Sequence, residues 1–303
     1  MDWQKKNSIV FLILFFLMLS LTIESGINDG LEKAIHLFED GKFPEAKEIF
    51  QSYIEENDKI PEAAFYLGRI YLIEDSLDEA IDWLKKAVKL NENDSENHHW
   101  LGITYGQKAQ KVGLLKKAGW ANKMREEVER AVELDGDNIN ARFSLMQYYV
   151  NAPGFMGGSK EKAKLQAEEI KKRDSIRGHR AFSMIYVSEQ KYDLAEAEYK
   201  AFEKECGDSP DFFQFYNDYG YFLLRQKRYD EAIEKFEKQV RLAPDNANAH
   251  DSLGDGYRAA GRLQDTADAY RKALEIDPNF TAAKRHLEKV EKEIESREGS
   301  DQR

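Results

Sequence analysis

Residues 247–280 read ANAHDSLGDGYRAAGRLQDTADAYRKALEIDPNF, and this stretch decides the fold. Leu253-Gly254 is followed by Tyr257, then by Tyr270, Ala273 and Pro278. The large and small apolar residues fall at helical spacing in two segments, and Pro278 stops the second one. The same offsets recur in 213–246, as Tyr219-Gly220, Leu223, Ala232, Phe236 and Pro244. They recur again in 61–94, as Leu67-Gly68, Tyr71, Ala80, Leu84 and Ala87. The period is therefore near 34 residues, with two helices, A and B, in each repeat. Gly at the eighth position lets helix A approach its neighbour closely. Ala at the twentieth and twenty-seventh does the same for helix B, and the large residues fill the space between.

Looser copies fill the rest. The unit from 27 carries Leu37, Ala46, Phe50 and Tyr53, and the unit from 95 carries Leu101-Gly102, Tyr105 and Ala131. The unit from 139 carries Leu145, Tyr149 and Ala163, and the unit from 176 carries Phe182-Ser183, Tyr186, Ala195 and Tyr199. With these residues in register the chain resembles the tetratricopeptide repeat (TPR) family. The resemblance implies an all-α fold, a right-handed superhelical solenoid of about seven helical hairpins. Residues 284–295 read as a polar C-terminal capping helix, which such an array needs over its last apolar face. The repeat region is expected over 26–296, and 297–303 as a polar tail.

The 303 residues carry 42% hydrophobic and 33% charged side chains, enough apolar content to bury a core. The net charge of −11 argues against nucleic acid as a partner, since phosphate binding needs a basic face. Cys206 is the single cysteine, which excludes an intrachain disulfide and any multi-cysteine zinc site. At the N-terminus Lys5 and Lys6 precede an apolar run from Ile9 to Leu19, apolar in character to Ile23. This is the layout of a secretory signal over 1–25, and the run is short for a membrane span. The expectation is an exported protein, periplasmic or extracellular. The other reading is an uncleaved segment, 8–23, that gives membrane association by anchoring the protein to an inner membrane.

Two insertions break the period. The unit from 95 is about ten residues too long near 107–123, which lengthens its two helices by roughly 7 Å each. The unit from 139 has about five extra residues, within Asn151-Ala152-Pro153-Gly154-Phe155-Met156-Gly157-Gly158-Ser159, a shaped loop. Both fall at the turn from helix A to helix B, on one edge of adjacent units. Gln107 to Arg125 holds Lys108, Lys111, Lys116, Lys117, Lys123 and Arg125 with no acid. The edge, with Trp120, Phe155 and Met156, reads either as a docking site for an acidic partner or anionic headgroups, or as a solvated face whose apolar residues seal the hairpin tips. The two insertions together resemble a group of exported bacterial TPR proteins, a likeness that supplies no reaction.

In TPR proteins helix A lines the concave groove. Carried onto this sequence, the resemblance places Phe65, Arg69, His99, Phe143 and Gln147 there, then Arg180, Met184, Asn217, Tyr221 and Asp255. The groove is expected to be apolar at its N-terminal end and polar at its C-terminal end, which suits an amphipathic peptide. The Lys and Asn pattern of chaperone-tail clamps is missing, so that partner class is disfavoured. Catalytic patterns are missing too. Gly154 to Lys160 lacks the Gly-Lys-Ser/Thr of a phosphate loop, and His98-His99 do not have the i, i+4 spacing of a helical metal pair. The sequence thus points to a non-catalytic scaffold for protein or peptide partners, without cofactor or metal. The alternative is an accessory protein of an envelope transporter that holds a small apolar ligand.

Overall fold

The computed structural model describes residues 29–301. The N-terminal signal or anchor segment lies outside the described residues. The chain divides into two compact units at Arg173/Asp174.

The described part of the first unit contains eight helices, among the described residues. They are α1 (29–39), α2 (Phe43–Glu56), α3 (Pro61–Ile73), α4 (Leu77–Leu90), α5 (Ser95–Lys111), α6 (Leu114–Leu134), α7 (Ile139–Asn151) and α8 (Lys160–Arg173). A single 3-10 turn, Gly154–Met156, stands between the last two. The second unit contains α9 (Ser175–Ser188), α10 (Tyr192–Cys206), α11 (Phe213–Arg225), α12 (Tyr229–Leu242), α13 (Ala247–Ala259), α14 (Leu263–Ile276) and α15 (Thr281–Asp301). No strand occurs among the described residues, and no described helix is long and apolar enough to cross a membrane.

Odd-numbered helices are the A helices, and four of them, α5, α7, α9 and α13, begin on a side-chain cap. Asp94 accepts from the Glu96 and Asn97 backbone N–H groups at 2.8 and 3.1 Å. Asn138, Asp174 and Asn246 do the same for α7, α9 and α13. These acceptors satisfy amide groups that a helix start leaves open. The A-to-B turns use a residue in the left-handed region instead: Gly41, Asp75, Gln190, Lys227 and Gly261, at φ between 58° and 77°. Of the two hairpins that carry insertions, the α7–α8 hairpin has Gly157 at φ 93° in its loop, and the α5–α6 turn has no residue in that region.

Packing follows the repeat. A Cβ on Gly254 would stand 2.4 Å from the Tyr270 ring, and one on Gly68 would stand 2.6 Å from Leu84. Helix A therefore lies against helix B where only glycine leaves room. In the first unit Phe38, Phe50, Leu67 and Ile70 form one core and Ile81, Leu84, Leu101 and Tyr105 another. In the second unit Tyr199, Phe202, Phe215, Tyr219 and Phe236 form an aromatic core. Leu287, Val290 and Ile294 of α15 cover Leu263, Ala267 and Tyr270 of α14. Helix α15 is thus the C-terminal cap and runs several residues beyond 284–295 in both directions.

Candidate functional site

In each unit the A helices also touch one another, α3 with α5, α5 with α7 and α11 with α13. These contacts join α3, α5 and α7 in the first unit and α11 and α13 in the second, and the residues expected in the groove lie on the A helices.

In the first unit Phe65 and Arg69 stand one turn apart on α3. The Arg69 guanidinium carbon lies 4.6 Å from the centre of the Phe38 ring and 4.3 Å from that of Trp100. The rings of Phe65 and Tyr66 follow at 5.5 and 5.8 Å. Arg69 Nε is buried and finds no hydrogen-bond partner among the described residues. Burial pulls this guanidinium below its ordinary value, with Tyr66 and Glu96 pulling it back. A cavity of about 460 Å³ opens beside it, lined by Phe38, Glu39, Phe43, Tyr66, Arg69 and Ile73. Ile73 is 52% exposed at its rim. A cation held among aromatic rings with an unused donor can accept a carboxylate, while the rings and Ile73 accept an apolar side chain. The sequence reading placed Phe65 and Arg69 here but passed over Tyr66 and Trp100. Both sit one residue past a groove position, so the groove register leaves them out.

Other first-unit groove positions are tied into the interior. His99 is buried, and its Nε2 lies 3.0 Å from Ser144 Oγ on α7. Its Nδ1 is 3.9 Å from Glu96, beyond hydrogen-bond reach. His99 joins two A helices rather than offering a ring to a partner. Phe143 and Gln147 are half-buried on α7. Next to His99, His98 Nδ1 lies 2.6 Å from Glu127 Oε2 on α6, and this carboxylate raises the imidazole above its ordinary value.

The inserted edge is also in the first unit. Helices α5 and α6 have 17 and 21 residues, against 13 and 14 for α3 and α4. The excess length belongs mostly to α6. Lys108 donates to Asp78 at 2.7 Å, and Lys111 pairs with Asp75, so two cations of the basic run are met by the preceding turn. Lys116, Lys117 and Lys123 are exposed on α6, and Lys123 Nζ lies 4.5 Å from the Trp120 ring centre. Trp120 itself packs on Tyr105 at 5.4 Å beside the Ile81–Leu84–Leu101 core. It therefore seals the hairpin. In the second insertion Met156 is half-buried, and its carbonyl accepts from Tyr148 Oη at 2.5 Å. Phe155, beside it, is 88% exposed. The two insertions meet: a Cβ on Gly157 would stand 2.7 Å from the Arg125 guanidinium.

In the second unit most groove positions are held by hydrogen bonds to neighbouring side chains. Arg180 Nε donates to Asp218 at 2.9 Å, and burial pushes that carboxyl up while Arg180 pulls it back. Met184 is half-buried on α9. Ser252 donates to the buried Asn217 Oδ1 at 2.8 Å. Tyr221 and Tyr270 donate to Asp255 at 2.8 and 2.7 Å. Burial raises both phenols, so each keeps its proton to donate. Lone Cys206 is buried, its Sγ 3.4 Å from Tyr216 Oη.

Tetratricopeptide-repeat family models match residues 31–95 and 211–279. A chloroplast TPR-domain protein of Arabidopsis thaliana, PYG7, is 34% identical over 85 residues, 28% of this chain and 28% of that protein. The peroxisomal targeting signal receptor of Candida albicans is 21% identical over 86% of this chain and 37% of its own length. The chain thus spans well under half of either relative. Among solved structures, a TPR protein from Parabacteroides merdae superposes with a TM-score of 0.62 at 15% identity, over 87% of this chain and 98% of that one. Yeast Tom70 superposes with a TM-score of 0.64 at 15% identity, over 84% of this chain and 52% of its own. At that identity the likeness concerns the fold. The two model matches show that the chain contains tetratricopeptide repeats at 31–95 and 211–279, and the structural neighbours share its helical fold over most of its length.

Proposed function

We propose that this protein is a non-catalytic interaction scaffold that holds a peptide segment on the A face of its first unit, with Arg69 as the anchor. The observation that carries this reading is the Arg69 site: a guanidinium among four aromatic rings, with one buried N–H unused, beside a cavity with an apolar rim. Its chemistry selects a segment with a carboxylate next to an apolar or aromatic side chain. The inserted edge supplies a second contact. Phe155 offers a bare aromatic ring, and Lys116 and Lys117 favour acidic partners. The N-terminal apolar segment supports a setting in the cell envelope, with the protein either exported or held at the membrane.

A random peptide library displayed on phage and panned against the full chain tests the binding reading. Enriched peptides are expected to share an acid adjacent to an apolar residue and to be lost on Arg69→Gln. Peptides without that pattern, or equally retained by the variant, contradict it. Fusion of residues 1–26 to a reporter active only outside the cytoplasm tests the location. A silent reporter overturns the envelope setting and leaves the peptide reading standing.

A further inference from the structure

The second unit brings three metal-ligating side chains to one point. Asp251 and Asp255 lie one turn apart on α13, and His286 faces them from α15. His286 Nδ1 is 3.0 Å from Asp251 Oδ1 and 3.8 Å from Asp255 Oδ1. One donor atom from each of the three lies within 4.8 Å of the others. A cation about 2.1 Å from each of three donors keeps them roughly 3 to 4 Å apart, so the observed spacing needs only small side-chain shifts.

The surroundings fit a site built around a charge. Asp251 is 5% exposed, and burial pushes its carboxyl above the ordinary carboxylate value, with the His286 hydrogen bond pulling it back. Two carboxylates are thus brought together in the interior and share one imidazole. Asp255 is oriented by Tyr221 on one oxygen and Tyr270 on the other, as outer partners orient the carboxylate ligands of metal sites. The cluster has an open side, since Asp255 and His286 keep 29% and 20% of their side-chain surface. That side leaves positions for water. Cationic Arg258 is drawn towards Glu293, at 4.0 Å.

We propose that Asp251, Asp255 and His286 bind a divalent transition metal of the zinc or cobalt class, with water completing the shell. One imidazole and two carboxylates suit zinc and its neighbours better than calcium, which takes six to eight oxygen donors. The metal takes the place of the His286–Asp251 hydrogen bond. It ties the capping helix α15 to α13 and so stabilises the end of the second unit.

The test uses the full chain alone, with no peptide, so its result is separate from that of the Arg69 reading. Zinc is titrated into the protein by calorimetry, and thermal unfolding is followed with and without it. One zinc per chain is expected, with a rise in melting temperature. Asp255→Asn and His286→Gln are each expected to weaken binding by tenfold or more, and His98→Gln to leave it unchanged. A readout that needs no variant is the proton NMR spectrum with cobalt. One histidine imidazole should shift far outside the diamagnetic range at one equivalent. The proposal is overturned by the absence of stoichiometric binding, by equal binding in folded His286→Gln, or by a cobalt spectrum with no shifted imidazole.

Discussion

Gly254 shows at single-residue scale how the repeat works: the Tyr270 ring occupies the space a methyl group would need. Gly254→Ala is expected to lower unfolding stability by about 1–3 kcal/mol in urea denaturation, the usual cost of overpacking. Lys227 carries the opposite strain. It sits at φ 58° in an A-to-B turn, a conformation that costs a side-chain-bearing residue roughly 1–2 kcal/mol. Lys227→Gly removes that cost but loosens the unfolded chain, so a net gain of about 0.5 kcal/mol is expected in the same assay. His98 adds a pH dependence. Glu127 raises its folded-state value above the unfolded one near 6.5, so the pair's contribution is full below that pH and is lost as pH rises through the folded value. His98→Gln should therefore cost more stability near pH 5.5 than near pH 8.5, and an equal cost at both would contradict the pairing. Glycine and core positions were legible in the sequence because each repeats. The partners of Arg69 were not, because the meeting of Phe38, Tyr66 and Trp100 around it depends on the stacking of α1, α3 and α5.

Whole helices carry the next layer. The insertion near 107–123 was legible as extra helix, since it keeps helical residues without a breaker until Gly113. Its unequal division was not legible, because the position of the turn is set by Val112-Gly113 and by how far α6 can extend over Tyr105 through Trp120. The charge of the edge was overestimated from sequence, since Asp75 and Asp78 belong to the preceding hairpin and meet Lys111 and Lys108 only in the fold. Helix α15 makes a prediction of its own. Val290 is fully buried against α14, and Val290→Ala should cost roughly 2 kcal/mol through the lost methyl groups and the cavity left behind. The loss should appear as faster amide exchange in α14 and α15, with α11 and α12 little affected, because stability in stacked repeats is passed between neighbours. Uniform acceleration across the second unit would show that α15 is not a local cap.

For the molecule as a whole, the 34-residue period was enough to give the fold class. The division at Arg173/Asp174 was not visible, since a one-residue junction between α8 and α9 looks like any other step between repeats. The groove positions were found by register, yet their fates differ. In the second unit Arg180 is engaged by Asp218, Asn217 by Ser252, and Tyr221 by Asp255. In the first unit Arg69 keeps an unused donor beside an open cavity. Register fixes where a side chain starts, and the neighbours it meets decide whether it remains available. The central claim is that a peptide anchors on Arg69, with the inserted edge secondary. The direct measurement is the affinity of one selected peptide for the wild-type chain, Arg69→Gln and Phe155→Ala. The account predicts a loss of about tenfold or more for Arg69→Gln, as expected when one partner of a buried charge pair is removed, and a smaller loss for Phe155→Ala. Unchanged affinity in a folded Arg69→Gln variant would contradict it.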